Sequence, residues 1–171
     1  MKKIGIISDT HSYWDNNFIK YFKSCDEIWH AGDIGNLEIT NQLKKIAPLK
    51  GVYGNIDNHQ IRHEFPHEIS FNYGAQNIYM THIGGYPKKY NKRCFEKLQK
   101  LKPQIFVCGH SHICKIIYDE NLKLLYINPG AAGIVGFHKI RTLVRFELHT
   151  DKIANLEVVE LGSRKKLPKT V

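Results

Sequence analysis

Five times in this chain a short apolar run breaks off into side chains that carry oxygen or nitrogen lone pairs, and that recurrence limits the folds open to it. Ile4-Gly5-Ile6-Ile7 ends in Asp9-Thr10-His11, Glu27-Ile28-Trp29-His30 in Gly32-Asp33, and Leu49–Tyr53 in Gly54-Asn55-Ile56-Asp57. Gln76–Thr81 ends in His82, and Ile105-Phe106-Val107-Cys108 in Gly109-His110-Ser111-His112. Short β-rich runs of this kind read as buried strands, so the polar residues stand where strands give way to loops. Side chains two apart in an extended segment point the same way, which predicts that Asp9 with His11, and His110 with His112, each face one cavity. Neutral imidazole is a common metal ligand. One such pair alone reads equally well as a hydrogen-bonded surface pair; the repetition is what favours a shared site.

Between the first three runs lie helical patterns. Asn16 or Asn17 is placed to cap a helix over 18–24 with Phe18, Ile19 and Phe22 on one face, and a second helix over 38–46 presents Ile39, Leu43 and Ile46 before Pro48. Strand, helix, strand, helix, strand implies parallel strands, right-handed crossovers and ligands at the C-terminal edge of the sheet. Past His59 the pattern changes. Runs 67–73 and 76–81 form a hairpin across Gly74-Ala75, a loop follows at 83–87, and a helix spans 92–101 with Phe95, Leu98 and Leu101 at helical spacing. Beyond the histidine pair come β runs at 115–118, 124–127, 142–148 and 153–159. The fold expected is α/β: a four-layer α/β/β/α sandwich of two packed mixed β-sheets flanked by helices, in one domain over 1–160 followed by a basic C-terminal tail over 161–171.

Composition narrows the partners. Lys+Arg 25 against Asp+Glu 16 gives +9, which favours an anionic ligand, although Arg164, Lys165, Lys166 and Lys169 place part of the excess in the tail. No run reaches the length of a membrane span, and Asp9 stops the N-terminal apolar run too early for a secretory signal, so a cytoplasmic protein without membrane contact is expected. Cys25, Cys94, Cys108 and Cys114 lack metal-type spacing and read as free thiols in or near the core.

Asp9, His11, Asp33, Asn55, His82, His110 and His112 are too many donors for one four-coordinate ion but suit two adjacent ions sharing a carboxylate. Mixed imidazole and carboxylate ligation points to Mn, Fe, Zn or Ni, with Mn first, and away from Ca or Mg. The ordered series Asp9-x-His11, Gly32-Asp33, Gly54-Asn55-x-Asp57, Thr81-His82 and Gly109-His110-x-His112 resembles the calcineurin-like metallophosphoesterases. The short length and Asn128-Pro129-Gly130 are similar to that superfamily's small bacterial and archaeal phosphodiesterases.

The resemblance implies that Asp9, His11 and His112 hold one metal, that Asn55, His82 and His110 hold the other, and that Asp33 bridges. Asp33, Asn55 and His82 would be the residues closest to catalysis. It implies a phosphodiesterase acting on a small phosphate ester, in which hydroxide held between two ions about 3.5 to 4 Å apart attacks phosphorus in line. Asp57 is expected in a supporting position, orienting a ligand. Many members have His after Gly-Asn, where it serves the leaving group; this chain has Ile56, so either a preference for esters with good leaving groups or a proton borrowed from a metal-bound water or His59 is expected. His30, His63, His67, His138 and His149 read as structural or surface residues. Tyr13 and Trp14 read equally as pocket wall or core. Two other readings compete: a non-catalytic metal-binding scaffold of the same fold, as in a eukaryotic retromer subunit, and a nuclease. Nucleic acid is disfavoured because no basic stripe interleaved with aromatics is present. A homo-oligomer is left open by the residues.

Overall fold

The computed structural model describes residues 1–164. Strand β1 (Lys2–Ile7), helix α1 (Asn17–Phe22), β2 (Glu27–His30), α2 (Leu37–Ile46) and β3 (Leu49–Gly51) open the chain as the periodicity dictates. The three strands pair in parallel, which requires the crossover helices between them. Then follow α3 (His59–Glu64), β4 (Glu68–Tyr73), β5 (Gln76–Thr81), a small ribbon of β6 (Gly85–Tyr86) and β7 (Lys89–Tyr90), α4 (Lys92–Leu101) and β8 (Ile105–Val107). β9 (Cys114–Asp119), β10 (Leu124–Pro129), β11 (Ile140–Leu148) and β12 (Ile153–Ser163) complete it.

Two five-stranded mixed sheets result, ordered β12-β11-β1-β2-β3 and β4-β5-β8-β10-β9. In the first, β1, β2 and β3 run parallel out to one edge and β11 and β12 add antiparallel at the other; in the second, β5, β8 and β10 are parallel in the middle, with β4 and β9 antiparallel at the two edges. Their inner faces meet through Ile4, Ile6, Trp29, Ile78, Val107 and Ile127, among others. The outer face of the first sheet is covered by α1 and α2 through Phe18, Phe22, Ile39 and Leu43. That of the second sheet is covered by α4 through Cys94 and Leu98 against Tyr79, Phe106 and Tyr126. The layers are therefore α/β/β/α, as expected.

Trp29 joins the sheets. It is fully buried, edge-on to Phe71 at 5.2 Å and to Phe146 at 5.8 Å. Its indole N–H donates to Glu27 Oε1 at 2.6 Å, satisfying the one polar group such a ring carries into a core. Burial opposes ionisation of Glu27, but hydrogen bonds from Lys50 and Trp29 outweigh it and hold the carboxyl below its usual range.

Several local expectations are corrected. Ile19 is exposed, so α1 buries only Phe18 and Phe22, one turn apart. Asn16 makes no capping bond: its backbone is already helical and its Oδ1 accepts from Trp14, while Asp15 Oδ1 takes the Asn17 amide. α3 was not anticipated, because it buries Ile61 alone and a single apolar residue displays no helical period; Asn58 caps it through the Ile61 amide. β3 stops at Gly51 and not Tyr53, and the 83–87 loop contributes to a ribbon. β12 runs to Ser163 with Leu161 buried, past residue 160, where the tail was expected to begin. Arg164 donates to the His138 carbonyl, and Lys165, Lys166 and Lys169 lie outside the described residues.

Trp29→Ala should lower unfolding stability by about 3–5 kcal/mol, because the cavity would open at the contact between the sheets. Urea denaturation followed by circular dichroism reads this, and a loss below about 1 kcal/mol would show that the interface collapses around the void.

Candidate metal centre

Each donor-bearing loop leaves the C-terminal end of a strand. Asp9 and His11 follow β1, Asp33 follows β2, Asn55 follows β3, His82 follows β5, and His110 and His112 follow β8. The two sheets bring these ends together. Ligand atoms of Asp9, His11, Asp33 and His112 all lie within 4.8 Å of one another, as do those of Asp33, His82 and His110, so Asp33 belongs to both groups. Asn55 Oδ1 lies 3.1 Å from His82 Nε2, which places the seventh expected donor against the second group.

The backbone achieves this differently from the extended geometry expected. Asp9, His11, Asp33, His110 and His112 have φ between 45° and 69°. These are left-handed conformations that cost non-glycine residues roughly 1 kcal/mol or more. The turns are held from neighbouring loops: the Asp9 amide donates to Gly32 O and the His11 amide to Asp33 O, both at 3.0 Å. Gly32 turns with φ 94°, and a Cβ there would lie 2.6 Å from the His82 ring. A Cβ at Gly54 would overlap the Asp33 carboxylate, so that motif glycine is required for space.

The donors fit a cation better than they fit one another. Asp9 is fully buried; its Oδ2 accepts from Ser8 Oγ at 2.7 Å and from the His110 amide at 3.1 Å. Its Oδ1 has no hydrogen-bond partner although His112 Nε2 is only 3.1 Å away. His11 Nε2 is likewise unpartnered, 3.5 Å from Asp33 Oδ2. Lone pairs that approach without hydrogen-bond alignment converge on a common point, and buried carboxylates need a compensating charge there. His82 Nδ1 lies 2.7 Å from the Ala31 carbonyl, which can only accept; Nδ1 therefore carries the proton and Nε2 presents its lone pair to Asp33 and Asn55. The nitrogen and oxygen set suits a divalent transition ion.

Electrostatics agree. Burial opposes ionisation of Asp33, but when the His82 ring carries both protons its hydrogen bond and charge, with the Ile56 amide and His11, hold the carboxyl below the usual range. Burial lowers His11 and His110. The Asp9 hydrogen bond raises His112, and Asp33 and Asp9 raise His82 against its burial.

Asp57 supports the loops in a way the sequence did not suggest. Its two oxygens accept the Gly35 and Gly54 amides, each at 2.7 Å, so it ties the turn after β2 to the turn after β3 and touches no donor side chain. Three supporting residues were missed. Arg62 holds the Asn55 and Asp57 carbonyls, Asn128 Nδ2 holds the Gly109 carbonyl at 2.8 Å, and the His138 ring packs 5.3 Å from that of His112. Only Asn128 had a local signal, in Asn128-Pro129-Gly130. His30 is a buried partner of Thr10, Cys108 is core, Trp14 packs on Phe18, and Tyr13 lies under Arg141, all by structural roles.

The sequence profile described as the calcineurin-like phosphoesterase superfamily domain matches residues 1–151. A probable metallophosphoesterase of Methanothermobacter thermautotrophicus is 30% identical over 136 residues, 77% of each chain. Among solved structures, an archaeal phosphodiesterase superposes with a TM-score of 0.74 at 23% identity, covering 93% of this chain and 99% of that one. Vps29 of Chaetomium thermophilum superposes with a TM-score of 0.75 at 15% identity, covering 94% and 97%. At these identities the structural likenesses speak to the fold alone. Among the described residues, no helix is long and apolar enough to cross a membrane.

Adding Mn2+ to metal-stripped protein at about a hundred times its dissociation constant should stabilise the fold by about 2.7 kcal/mol, read as a rise in melting temperature. Protons compete for His82 and His112, whose basicity is raised, so calorimetric affinity should fall between about pH 7.5 and about pH 5.5. Affinity that is flat across this interval would contradict the donor set.

Proposed function

The chain belongs to the calcineurin-like phosphoesterase superfamily and is a metal-dependent hydrolase of phosphoric esters, and we propose that its substrate is a small phosphodiester cleaved at a dinuclear centre. The observation that carries the proposal is the sharing of Asp33 between two donor groups whose ligand atoms each fall within 4.8 Å. Asp9, His11 and His112 would hold one ion, Asn55, His82 and His110 the other, and Asp33 would bridge them. Two divalent ions so held, Mn first among Mn, Fe, Zn and Ni, would supply an acidified water as nucleophile and would offset charge on the phosphoryl oxygens.

The protein's own part is to hold and orient. Ala31 fixes the His82 tautomer, Ser8 and the His110 amide fix Asp9, and the Ile56 amide donates to Asp33 Oδ1 at 3.1 Å. Ser8 and Cys108, which each stand immediately before a donor motif, are not available to attack phosphorus. Ser8 Oγ is buried and bonded to Asp9, and burial pushes the Cys108 thiol up to about 12. A scaffold reading gains nothing from the geometry, since all seven donors are present and together. One solved structure of this fold is an archaeal phosphodiesterase, which makes the diester the substrate to test first.

Metal-stripped protein resupplied with Mn, Ni, Zn or Mg should hydrolyse bis(4-nitrophenyl) phosphate faster than 4-nitrophenyl phosphate, with a transition ion preferred. Asp33→Asn should lower the rate by at least about 10²-fold while the protein stays folded. Metal uptake with neither ester turned over would defeat the proposal.

Ile56 is exposed beside Asn55 and has no proton to give, and His59 stands on the first turn of α3 with its ring 6.5 Å from that of His63. Ile56→His should therefore accelerate esters of poor leaving groups more than esters of 4-nitrophenol, steepening less the dependence of rate on leaving-group pKa. An equal gain on both would show that leaving-group protonation does not limit this enzyme.

A further inference from the structure

Large apolar side chains left in water gather on the loops that carry the donors. Ile56 follows Asn55, Ile83 follows His82 and Ile113 follows His112, with exposures of 44%, 42% and 65%. Consecutive Cα atoms are about 3.8 Å apart, so each stands next to the candidate metal centre. Val135 and Phe137 flank Gly136, where an added Cβ would overlap the His112 ring; Phe137 is wholly exposed. Single exposed apolar residues are ordinary on a soluble surface. Here five of thirteen large ones in the described chain sit on the loops at one site, which is the distribution expected of a binding surface.

A cavity of about 660 Å³ adjoins the same segment. Ile134, Val135 and Ile140 line it together with His138, whose ring is 5.3 Å from that of His112. Its volume is that of a small-molecule pocket. Lys139, Ser163 and Arg164 also reach its wall; His138 Nε2 lies 2.9 Å from the Gly133 carbonyl and Arg164 Nε donates to the His138 carbonyl, whereas His138 Nδ1 has no hydrogen-bond partner. The rest of the wall, Ile134, Val135 and Ile140, is apolar and continues into the exposed Phe137, and this is the face that an alkyl or aryl group would cover.

Resting on the phosphoester-hydrolase reading, we infer that the substrate carries an apolar alkyl or aryl alcohol on its phosphate. That group lies over the exposed side chains of the donor loops and enters the cavity beside His138, while the net positive charge of the chain favours the anionic phosphate. The absence of an acid at Ile56 suits the same assignment, because the position offers an apolar contact to the ester where a polar one is not needed.

The test is a series of diesters sharing 4-nitrophenol as leaving group and differing in the other alcohol: methyl, butyl, hexyl, phenyl and thymidine 5′. With metal-loaded protein, kcat/KM should rise about two- to four-fold for each added methylene, and the thymidine ester should fall below the phenyl ester. Val135→Ser and Phe137→Ser should flatten the series, and Val158→Ser, an exposed apolar residue of β12, should leave its slope intact. A flat series, or a preference for thymidine, overturns the inference while leaving the phosphodiesterase reading standing. If no ester is turned over, that reading falls, and calorimetry with methyl-, butyl- and hexylphosphonate decides the inference separately. Affinity rising with chain length and lost in Val135→Ser upholds it, and affinity independent of length overturns it. A flat series with self-association abolished by Phe137→Ser would give the surface to a second copy and also overturn it.

Discussion

Two carboxylates are buried where the sheets converge. Asp9 is fully inaccessible and Asp33 nearly so, and the protein groups around them leave Asp9 Oδ1 unpaired. Burying an ionised carboxylate without full pairing costs several kcal/mol, so a fold that keeps two of them within one cluster must compensate from another source. Four histidines and one asparagine supply lone pairs in the same volume, which adds no positive charge while they are neutral. A bound cation answers both the charge and the unused lone pairs. The arrangement of loops, glycines and braces follows from that requirement.

The strain is distributed in the same way. Five of the seven donors adopt left-handed backbone conformations, and each turn is tied to a loop from another strand, through Gly32, Asp33 or His82 carbonyls. Asp57 and Arg62 then fasten the β2 and β3 turns to each other. A site on isolated loops would relax out of such conformations; here the two sheets, clamped through Trp29 and its neighbours, over-determine them. Metal affinity and fold stability are therefore coupled through the same turns.

How much of this was legible depends on range. The strands and the seven donors could be read because each apolar run and its terminal motif are contiguous in sequence, and the parallel half followed from alternation with helices. α3 was illegible because it buries Ile61 alone, whereas α1, of equal length, shows Phe18 and Phe22 one turn apart. The left-handed turns were illegible because Asp and His are only modestly enriched in that conformation, a far weaker signal than Gly; the extended-strand argument put Asp9 with His11 correctly, but His110 and His112 fall in separate donor groups. Asp57 was assigned a supporting role from its place in a motif, but its partners, the Gly35 and Gly54 amides, are fixed only by the approach of two loops. His138 and Gly136 meet His112 across more than twenty residues, a contact no local pattern encodes.

The same distinction separates the chemistry of the site from its selectivity. The polar floor is fixed by strand ends, which the fold cannot move without breaking two sheets. The apolar side chains occupy the next position along each loop, outside the hydrogen-bond network, where substitution disturbs no pairing. Ile56 shows the division within one residue: its amide donates to Asp33 and belongs to the floor, while its side chain faces solvent and is free to differ. Substitution on the rim can thus alter what the site admits while the donor groups stay in place, without the two sheets being rebuilt.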